Sequence, residues 1–466
     1  MRIHFIGVCG YAVSGLARVS KELGHEVTGS DQDAYPPTTD LLDQAGIPWT
    51  DGHRAENILR WGRPDLVVQA NDPRPGNPES EEARQLGIPM VSEAAFWGQL
   101  TKDRYRIVVC GSHGKTTTAS LIAWILQADG RRPGYRLGIG ARDLGGSAAW
   151  GGGREFVFEG DEYTSASFDQ QAKFLHFKAN LAVLLNVDWD HPDVYPDRAS
   201  YEAVFRRLVR GLGQQDRLLA YSDDETVRRL ISDCRASVQT YGLSAAAEWQ
   251  AHEIAASPDG MRFSAWHNGA EVAEVETLLS GEHNVLNALA ALAAAAWLEV
   301  PLPVAIEAIG RFRGAGRRFE IRGQVRGITV IDDYAHHPTE VRATLTAARE
   351  RFKSGRVLAC FVPHTYSRTS NLLDGYADAF AGCALVLIGP IEPARERHLA
   401  HTISAADVAA RVRGAGTVAT VDSASLAAER LAAFARPGDV IVCMSVRGFD
   451  DVAGRTVAVL ERAAVG

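Results

Sequence analysis

The residues best suited to chemistry in this chain are Gly111-Ser112-His113-Gly114-Lys115-Thr116-Thr117. An apolar run, Ile107 to Cys110, precedes them and reads as a buried strand. An amphipathic segment, Ala119 to Gln127, follows and reads as a helix. Backbone N–H groups at a helix start attract an anion, a lysine there reaches outer phosphates, and a threonine hydroxyl can ligate Mg2+. The stretch is therefore expected to cradle the phosphates of ATP. Two residues separate Gly111 from Gly114, where the usual loop has four, and Val109 takes the place of the early glycine. A plain glycine turn is the alternative that this spacing leaves open.

Two further apolar stretches end in groups that suit a cation. Phe156-Val157-Phe158 runs into Glu159, Asp161 and Glu162; Leu181 to Leu185 runs into Asn186, Asp188, Asp190 and His191. In a parallel sheet such strand ends share an edge with the phosphate loop. Glu162 and His191, with Thr116, are the expected Mg2+ ligands, a set that leaves room for waters and phosphate oxygens. Either end taken alone also reads as a solvated strand end. Gly281-Glu282-His283-Asn284-Val285-Leu286-Asn287 opens an alanine-rich helix. His283, Asn284 and Asn287 on its first turns suit a base edge, or merely begin a core helix. In Pro363-His364-Thr365-Tyr366-Ser367-Arg368, Arg368 and His364 could bind the carboxylate of an amino acid. The alternative for Arg368 is a solvated charge.

Positioning these groups takes more than one core. At roughly 150 residues per domain, 466 residues imply about three. The expected divisions are 1–102, 103–314 and 315–466. Ile3 to Gly7, a loop through Gly10, a helix carrying Ser14 and Gly15, and a strand ending at Ser30-Asp31 form a Rossmann-like unit. Its glycines fall at 7, 10 and 15, so a nucleotide diphosphate fits the expectation better than a dinucleotide; an unliganded βαβ unit stays open. The region from Leu218 to Leu279 reads as short strands and turns, and 312–320 as a flexible basic boundary. From Ile328 onward, apolar strands and helices alternate again, the first strand ending at Asp332-Asp333-Tyr334-Ala335-His336-His337-Pro338. The fold class is α/β: a Rossmann-like domain, a central phosphate-loop domain with a mostly parallel sheet, and a second Rossmann-like domain.

Hydrophobic content of 46% with 23% charged residues is that of a globular protein. The net charge of −8 argues against nucleic acid as a partner. No apolar run is long enough to cross a membrane, and the six scattered cysteines read as core residues in a reducing cytoplasm. The N-terminus enters a strand at once, with no signal-peptide core, which also points to the cytoplasm.

Taken in order, Gly111-x-x-Gly114-Lys115-Thr-Thr, Glu159-x-Asp161-Glu162, Asn186-x3-Asp190-His191, Gly281-x-His283-Asn284-x2-Asn287, Arg317-Arg318-Phe-Glu320 and Asp332-Asp333-Tyr-Ala-His-His-Pro carry a resemblance to a known family. The chain resembles the Mur ligases, ATP-dependent amide ligases of peptidoglycan synthesis. The resemblance implies ATP and Mg2+, phosphorylation of a carboxylate, attack of an amine on the acyl phosphate, and release of ADP and phosphate. It implies that Gly111, Ser112, His113, Gly114, Lys115, Thr116 and Thr117 surround the phosphates, with His283, Asn284 and Asn287 near adenine. Arg318 and Asp333 would reach the nucleotide from the third domain, and His336 or His337 would deprotonate the amine. Lys115, Glu162, His191, Arg318, Asp333 and His336 form the expected catalytic set.

Within the family the chain is similar to the branch acting on UDP-N-acetylmuramate. Gly7, Cys9, Gly10, Ser14, Gly15, Ser30, Asp31 and Asn71 are the expected UDP-sugar residues, and His337, His364 and Arg368 the expected acceptor residues. Ala34-Tyr35-Pro36-Pro37, Gly76-Asn77-Pro78-Glu79, Gly160-Asp-Glu-Tyr163 with Phe168-Asp169 and Lys173 to His176, and Met444-Ser-Val-Arg-Gly448-Phe449 are similar to murein peptide ligase, which attaches L-alanyl-γ-D-glutamyl-meso-diaminopimelate. That tripeptide is the first expectation for the acceptor. Pro363 to Arg368 and Pro393-Ala-Arg-Glu396 are similar instead to the L-alanine-adding branch, so L-alanine is the alternative. Tyr201 to Tyr221 contains no lysine, so the carbamylated lysine of several relatives is not expected. A monomer or weak homodimer is expected. An inactive nucleotide-binding homologue is the remote alternative.

Overall fold

The computed structural model describes residues 1–32, 34, 38–71, 76–257, 259–353, 355–394 and 396–465. Tyr35 to Pro37 and Arg395, which carry part of the resemblance, lie outside the described residues.

Near the N-terminus, five parallel strands stand in the order Trp49–Asp51, Glu26–Asp31, Arg2–Ile6, Leu66–Gln69, Met90–Ser92. The first strand is central, so its glycine loop and those of its neighbours open on one edge. A ten-stranded sheet follows. Its centre is parallel, with Tyr105–Cys110 flanked by Leu181–Leu184 and Glu155–Gly160. Both neighbours run in register with the strand that feeds the phosphate loop, so their acidic ends emerge beside that loop. The stretch read as short strands is a parallel pair, Arg217–Tyr221 and Ser237–Gly242, leading into the meander Trp249–Ala256, Met261–His267 and Ala270–Thr277. The last sheet has six strands, parallel apart from the edge strand Glu320–Val325.

The helix after the phosphate loop begins earlier than its apolar pattern suggests, spanning Lys115–Ala128. Gly114 makes the difference. Its φ of 85° lies in the left-handed region, and a side chain there would collide with Asn287. Only glycine turns the chain tightly enough to start the helix at Lys115, which places the three threonines inside it despite their weak helix preference.

The boundaries are less loose than their composition suggests. Thr101, in the expected first linker, is fully buried and its hydroxyl donates to the Trp97 carbonyl. Trp97 packs against Phe156 and Phe158, so one apolar core runs from the N-terminal sheet into the central one. The segment expected to be a flexible boundary is held on both sides. Arg142 and Gly316 donate backbone N–H groups to Gly314 and Gly140, while Arg317 grips Asp332, Ser445 and Val446 of the last sheet. Arginine's forked donors convert a basic hinge into a bracket.

Candidate active site

Phosphate loop, acidic strand ends and C-terminal loops meet in one cleft. Ser112 N–H donates to the Asn186 carbonyl, and His113 N–H to Asn186 Oδ1. Ser112 Oγ donates to the Asp188 carbonyl at 2.7 Å and lies 2.9 Å from the buried Tyr201 hydroxyl. The neighbouring strand end thus shapes the loop. Lys115 Nζ donates to the carbonyls of Gly111 at 2.7 Å and Ser112 at 3.0 Å, and stands 2.9 Å from Glu162 Oε2.

Glu162 is fully buried, and Tyr201 Oη donates to its Oε1 at 3.2 Å. Burial works against its charge, but the Lys115 ammonium and the hydrogen bond from His191 outweigh it and hold the carboxyl below its usual range. His191 has a φ of 57°, in the left-handed region that a non-glycine residue rarely adopts; such strain persists only where neighbours impose it. Arg368 is one such neighbour. Its Nε donates to Asp190 Oδ1 at 2.7 Å, Nη1 to His364 Nδ1 at 2.9 Å and Nη2 to His191 Nδ1 at 3.1 Å. Because the guanidinium only donates, His191 Nδ1 accepts, and its Nε2 lies 3.1 Å from Glu162 Oε1. Arg368 is 4% exposed, so the reading as a solvated charge is corrected.

The donor atoms of Glu162, Asp190 and His191 lie within 4.8 Å of one another. Two buried carboxylates and an imidazole fit a hard divalent cation that keeps some waters. Thr116, the third expected ligand, turns its hydroxyl to Glu159 Oε1 at 2.7 Å.

A cavity of about 490 Å³ adjoins the loop. His113, Gly114, Thr117, His283, Asn284, Asn287, Arg318 and Asp333 line it, with Tyr221 and Tyr241. Asn287 Nδ2 donates to Asn284 Oδ1, and Thr118 donates to Asn287 Oδ1, so the amides hold one another. Burial and the Arg318 charge push His283 down to about 4, leaving it a neutral ring. Asp333 lines the cavity but is also structural: it accepts the Phe319 and Ala335 N–H groups, and burial raises its carboxyl. His336 is likewise neutral, lowered to about 4 by burial, with Arg368 adding to the effect. Its ring meets that of His364 edge-on, 5.8 Å between centroids. His337 is buried and begins the helix Pro338–Arg351, accepting the Thr339 N–H.

Glu340 was not a sequence candidate. It lies 3.3 Å from His113, 3.6 Å from Arg318 and 3.4 Å from His336. The available signal was its place three residues after the helix-starting His337, where a carboxylate completes a capping box. His113 lies between Glu340 and Asp188, each 3.3 Å from a ring nitrogen. Burial disfavours the imidazolium, but those two hydrogen bonds prevail and raise it to about 9. A raised folded pKa means that this tie stabilises fully below the free value near 6.5 and is lost as pH rises through about 9. An NMR titration of the His113 ring is expected to give that midpoint. E340Q is expected to lower it by roughly one to two units, the worth of a charge-assisted hydrogen bond.

In the N-terminal sheet, Gly7 and Val8 N–H groups donate to the Ser30 carbonyl, and Cys9 N–H to Asp31 Oδ2 at 2.5 Å. Gly10 precedes the helix Tyr11–Glu22, and Asn71 follows the strand Leu66–Gln69. These residues share an edge. Ser14 and Gly15 are buried within the helix; the Ser14 hydroxyl donates to the Tyr11 carbonyl and Gly15 lies against Ala148. Glu79, which the sequence places in a motif without a site role, is fully buried and receives Ser30 and Asn57, with His4 and His53 on its remaining lone pairs.

Three family models match the chain: "Mur ligase family, catalytic domain" over 2–105, "Mur ligase middle domain" over 109–295, and "Mur ligase, glutamate ligase domain" over 317–447. The UDP-N-acetylmuramate–L-alanine ligase of Roseiflexus sp. (strain RS-1) is 37% identical, covering 95% of this chain and 96% of that one. The chain belongs to the Mur ligase family. Another relative, the UDP-N-acetylmuramate–L-alanyl-γ-D-glutamyl-meso-2,6-diaminoheptandioate ligase of Escherichia coli (strain K12), is 35% identical over 97% of this Mur ligase and 96% of its own length. Among solved structures, the UDP-N-acetylmuramate–alanine ligase of Thermotoga maritima superimposes with a TM-score of 0.81 at 26% identity, covering 99% of this chain and all of that one. This Mur ligase has the family's three-domain α/β fold and is an ATP-dependent, ADP-forming amide ligase of peptidoglycan synthesis. Among the described residues no helix is long and apolar enough to cross a membrane.

Proposed function

We propose that this Mur ligase joins the carboxylate of UDP-N-acetylmuramate to the amine of L-alanine through an acyl phosphate. The observation that carries the reading is the meeting of the phosphate loop, the Glu162–His191 pair and the Arg368 loop in one cleft. A carboxylate is a poor acyl donor until its oxygen becomes a phosphate. Phosphoryl transfer needs mainly positioning and charge neutralisation, which Lys115 and Arg318 supply. Glu162 and His191, with Thr116, would hold Mg2+, whose contribution is to neutralise charge on the phosphates. The cavity lined by His283 and Asn284 would take adenine, and residues 1–102 the UDP-sugar at the edge formed by Gly7, Gly10, Ser30, Asp31 and Asn71. His336, whose Nδ1 lies 3.0 Å from the Tyr334 carbonyl at the cleft, is assigned the role of base for the incoming amine. The cytoplasm, where ATP is available, is the compartment assigned.

L-Alanine replaces the tripeptide as the first choice of acceptor. Most motifs that favoured the tripeptide lie between residues 34 and 176, outside the acceptor loop, although Met444 to Phe449 of the third domain favoured it too. The 37% identity to an alanine-adding relative supports the change, and so does the place of Arg368. Its guanidinium touches His191, so a carboxylate bound there sits close to the reacting centre. In L-alanine the carboxylate and the amine share one carbon. In the tripeptide the carbonyl beside the amine is already an amide, and the free carboxylates are remote. The test is ADP release with UDP-N-acetylmuramate and either acceptor. L-Alanine is expected to give at least about tenfold higher kcat/KM, the scale of discrimination that one charged contact supports; preference for the tripeptide would overturn the assignment.

A further inference from the structure

Thr116 follows the phosphate-loop lysine, yet its hydroxyl turns toward Glu159 rather than toward Glu162. Both side chains are buried, and Thr116 Oγ1 donates to Glu159 Oε1 at 2.7 Å. The other oxygen of Glu159 accepts the Gly138 N–H at 2.5 Å, and its carbonyl accepts from Arg136 Nη1 at 3.1 Å. Arg136 in turn grips both oxygens of Glu93, at 3.1 and 3.2 Å, from the helix Glu93–Leu100. Gly138 is shaped to the carboxylate, since a Cβ there would stand 2.9 Å from Oε1 and 3.1 Å from Oε2 of Glu159.

A hydroxyl that ligates a cation does so with its oxygen lone pairs, so its proton must point elsewhere. Glu159 is the group that takes this proton. Among the described residues it is not part of the Glu162–Asp190–His191 cluster. We propose that Glu159 is a positioning residue for the Mg2+ site, fixing the Thr116 hydroxyl with its lone pairs free for the cation. The inference rests on the ATP–Mg2+ reading given under Proposed function. Glutamine at this position cannot replace the carboxylate. The Gly138 N–H requires an oxygen, so the amide NH2 faces Thr116, which must then accept that hydrogen bond and turn its own proton toward the cation.

Mn2+ binding to the full chain, followed by the spectroscopic signal of free Mn2+ in the presence of a non-hydrolysable ATP analogue, tests this without turnover. E159Q is expected to weaken Mn2+ about 10- to 100-fold, the range for residues that orient a metal ligand. Analogue binding in EDTA is expected to stay within about twofold of wild type, a change no larger than independent sites show. T116V is expected to weaken Mn2+ as well, and E159Q added to T116V to cost nothing more, because the two act as one unit. G138A, which keeps the carboxylate but crowds it, is expected to weaken Mn2+ in the same direction. Mn2+ affinity of E159Q within about twofold of wild type, or a loss that adds in full to that of T116V, would overturn the proposal. Failure of the wild-type chain to bind Mn2+ with the analogue would instead overturn the ATP-site reading beneath it.

Discussion

Lys115→Ala is expected to lower acceptor-dependent ADP release by roughly three orders of magnitude, the scale of losing a group aimed at developing charge. Binding of UDP-N-acetylmuramate is expected to stay unchanged. The side chain stands at the helix start, with its ammonium against the carbonyls of Gly111 and Ser112 and beside Glu162. Removing it takes away the only lysine of the loop and leaves a fully buried carboxylate without its cation. Glu162 owes its lowered pKa mainly to that ammonium working against burial, so K115A is expected to raise it. Arginine is no substitute, because its planar fork does not fit a pocket built of two converging carbonyls. The proposed sugar residues stand on a different sheet from Gly111, Ser112 and Glu162, the partners of Lys115, so calorimetric binding of UDP-N-acetylmuramate separates the two sites. Turnover retained in K115A would end the assignment of this loop to phosphoryl transfer.

Arg368→Ala has the second large expected effect. The change strips Asp190 of its buried guanidinium and leaves the Nδ1 atoms of His191 and His364 without their donor. Breaking a buried ion pair on one side costs about 3–5 kcal/mol, because the remaining charge stays desolvated. The melting temperature is therefore expected to fall, and turnover at saturating ATP and UDP-N-acetylmuramate to drop at least about 100-fold, as positioned binding groups do when removed. R368K separates charge from geometry. An ammonium keeps the charge but cannot meet Asp190, His191 and His364 at once, so stability is expected to recover more than turnover. The KM for L-alanine is the discriminating measurement: it should rise in both variants if Arg368 holds the acceptor carboxylate. A wild-type KM in R368K would assign the residue to structure alone.

Much of the site was legible in local patterns. A strand, a glycine turn and Lys-Thr are adjacent in the chain, so their joint geometry follows from backbone conformation within a few residues. The same holds for acidic residues at strand ends, whose edge is set once the strands are parallel. The helix start at Lys115 was readable from Gly-Lys-Thr-Thr, because left-handed Gly114, not hydrophobic periodicity, begins the helix.

Tertiary structure decided what those groups touch. Arg368 and His191 are 177 positions apart, and His113 and Glu340 are 227 apart. No spacing rule connects such residues, because their approach depends on the docking of one sheet against another. The pairing of Thr116 with Glu159 likewise required the strand Glu155–Gly160 to lie directly beside Tyr105–Cys110 in the sheet. From the sequence alone came the fold class and the family, with the phosphate loop and the metal ligands as expectations. The partner of each charge, and with it the protonation of His113, the burial of Arg368 and the orientation of Thr116, came only from the folded chain. Burial and distance set the strength of a charge interaction, and both belong to the three-dimensional arrangement.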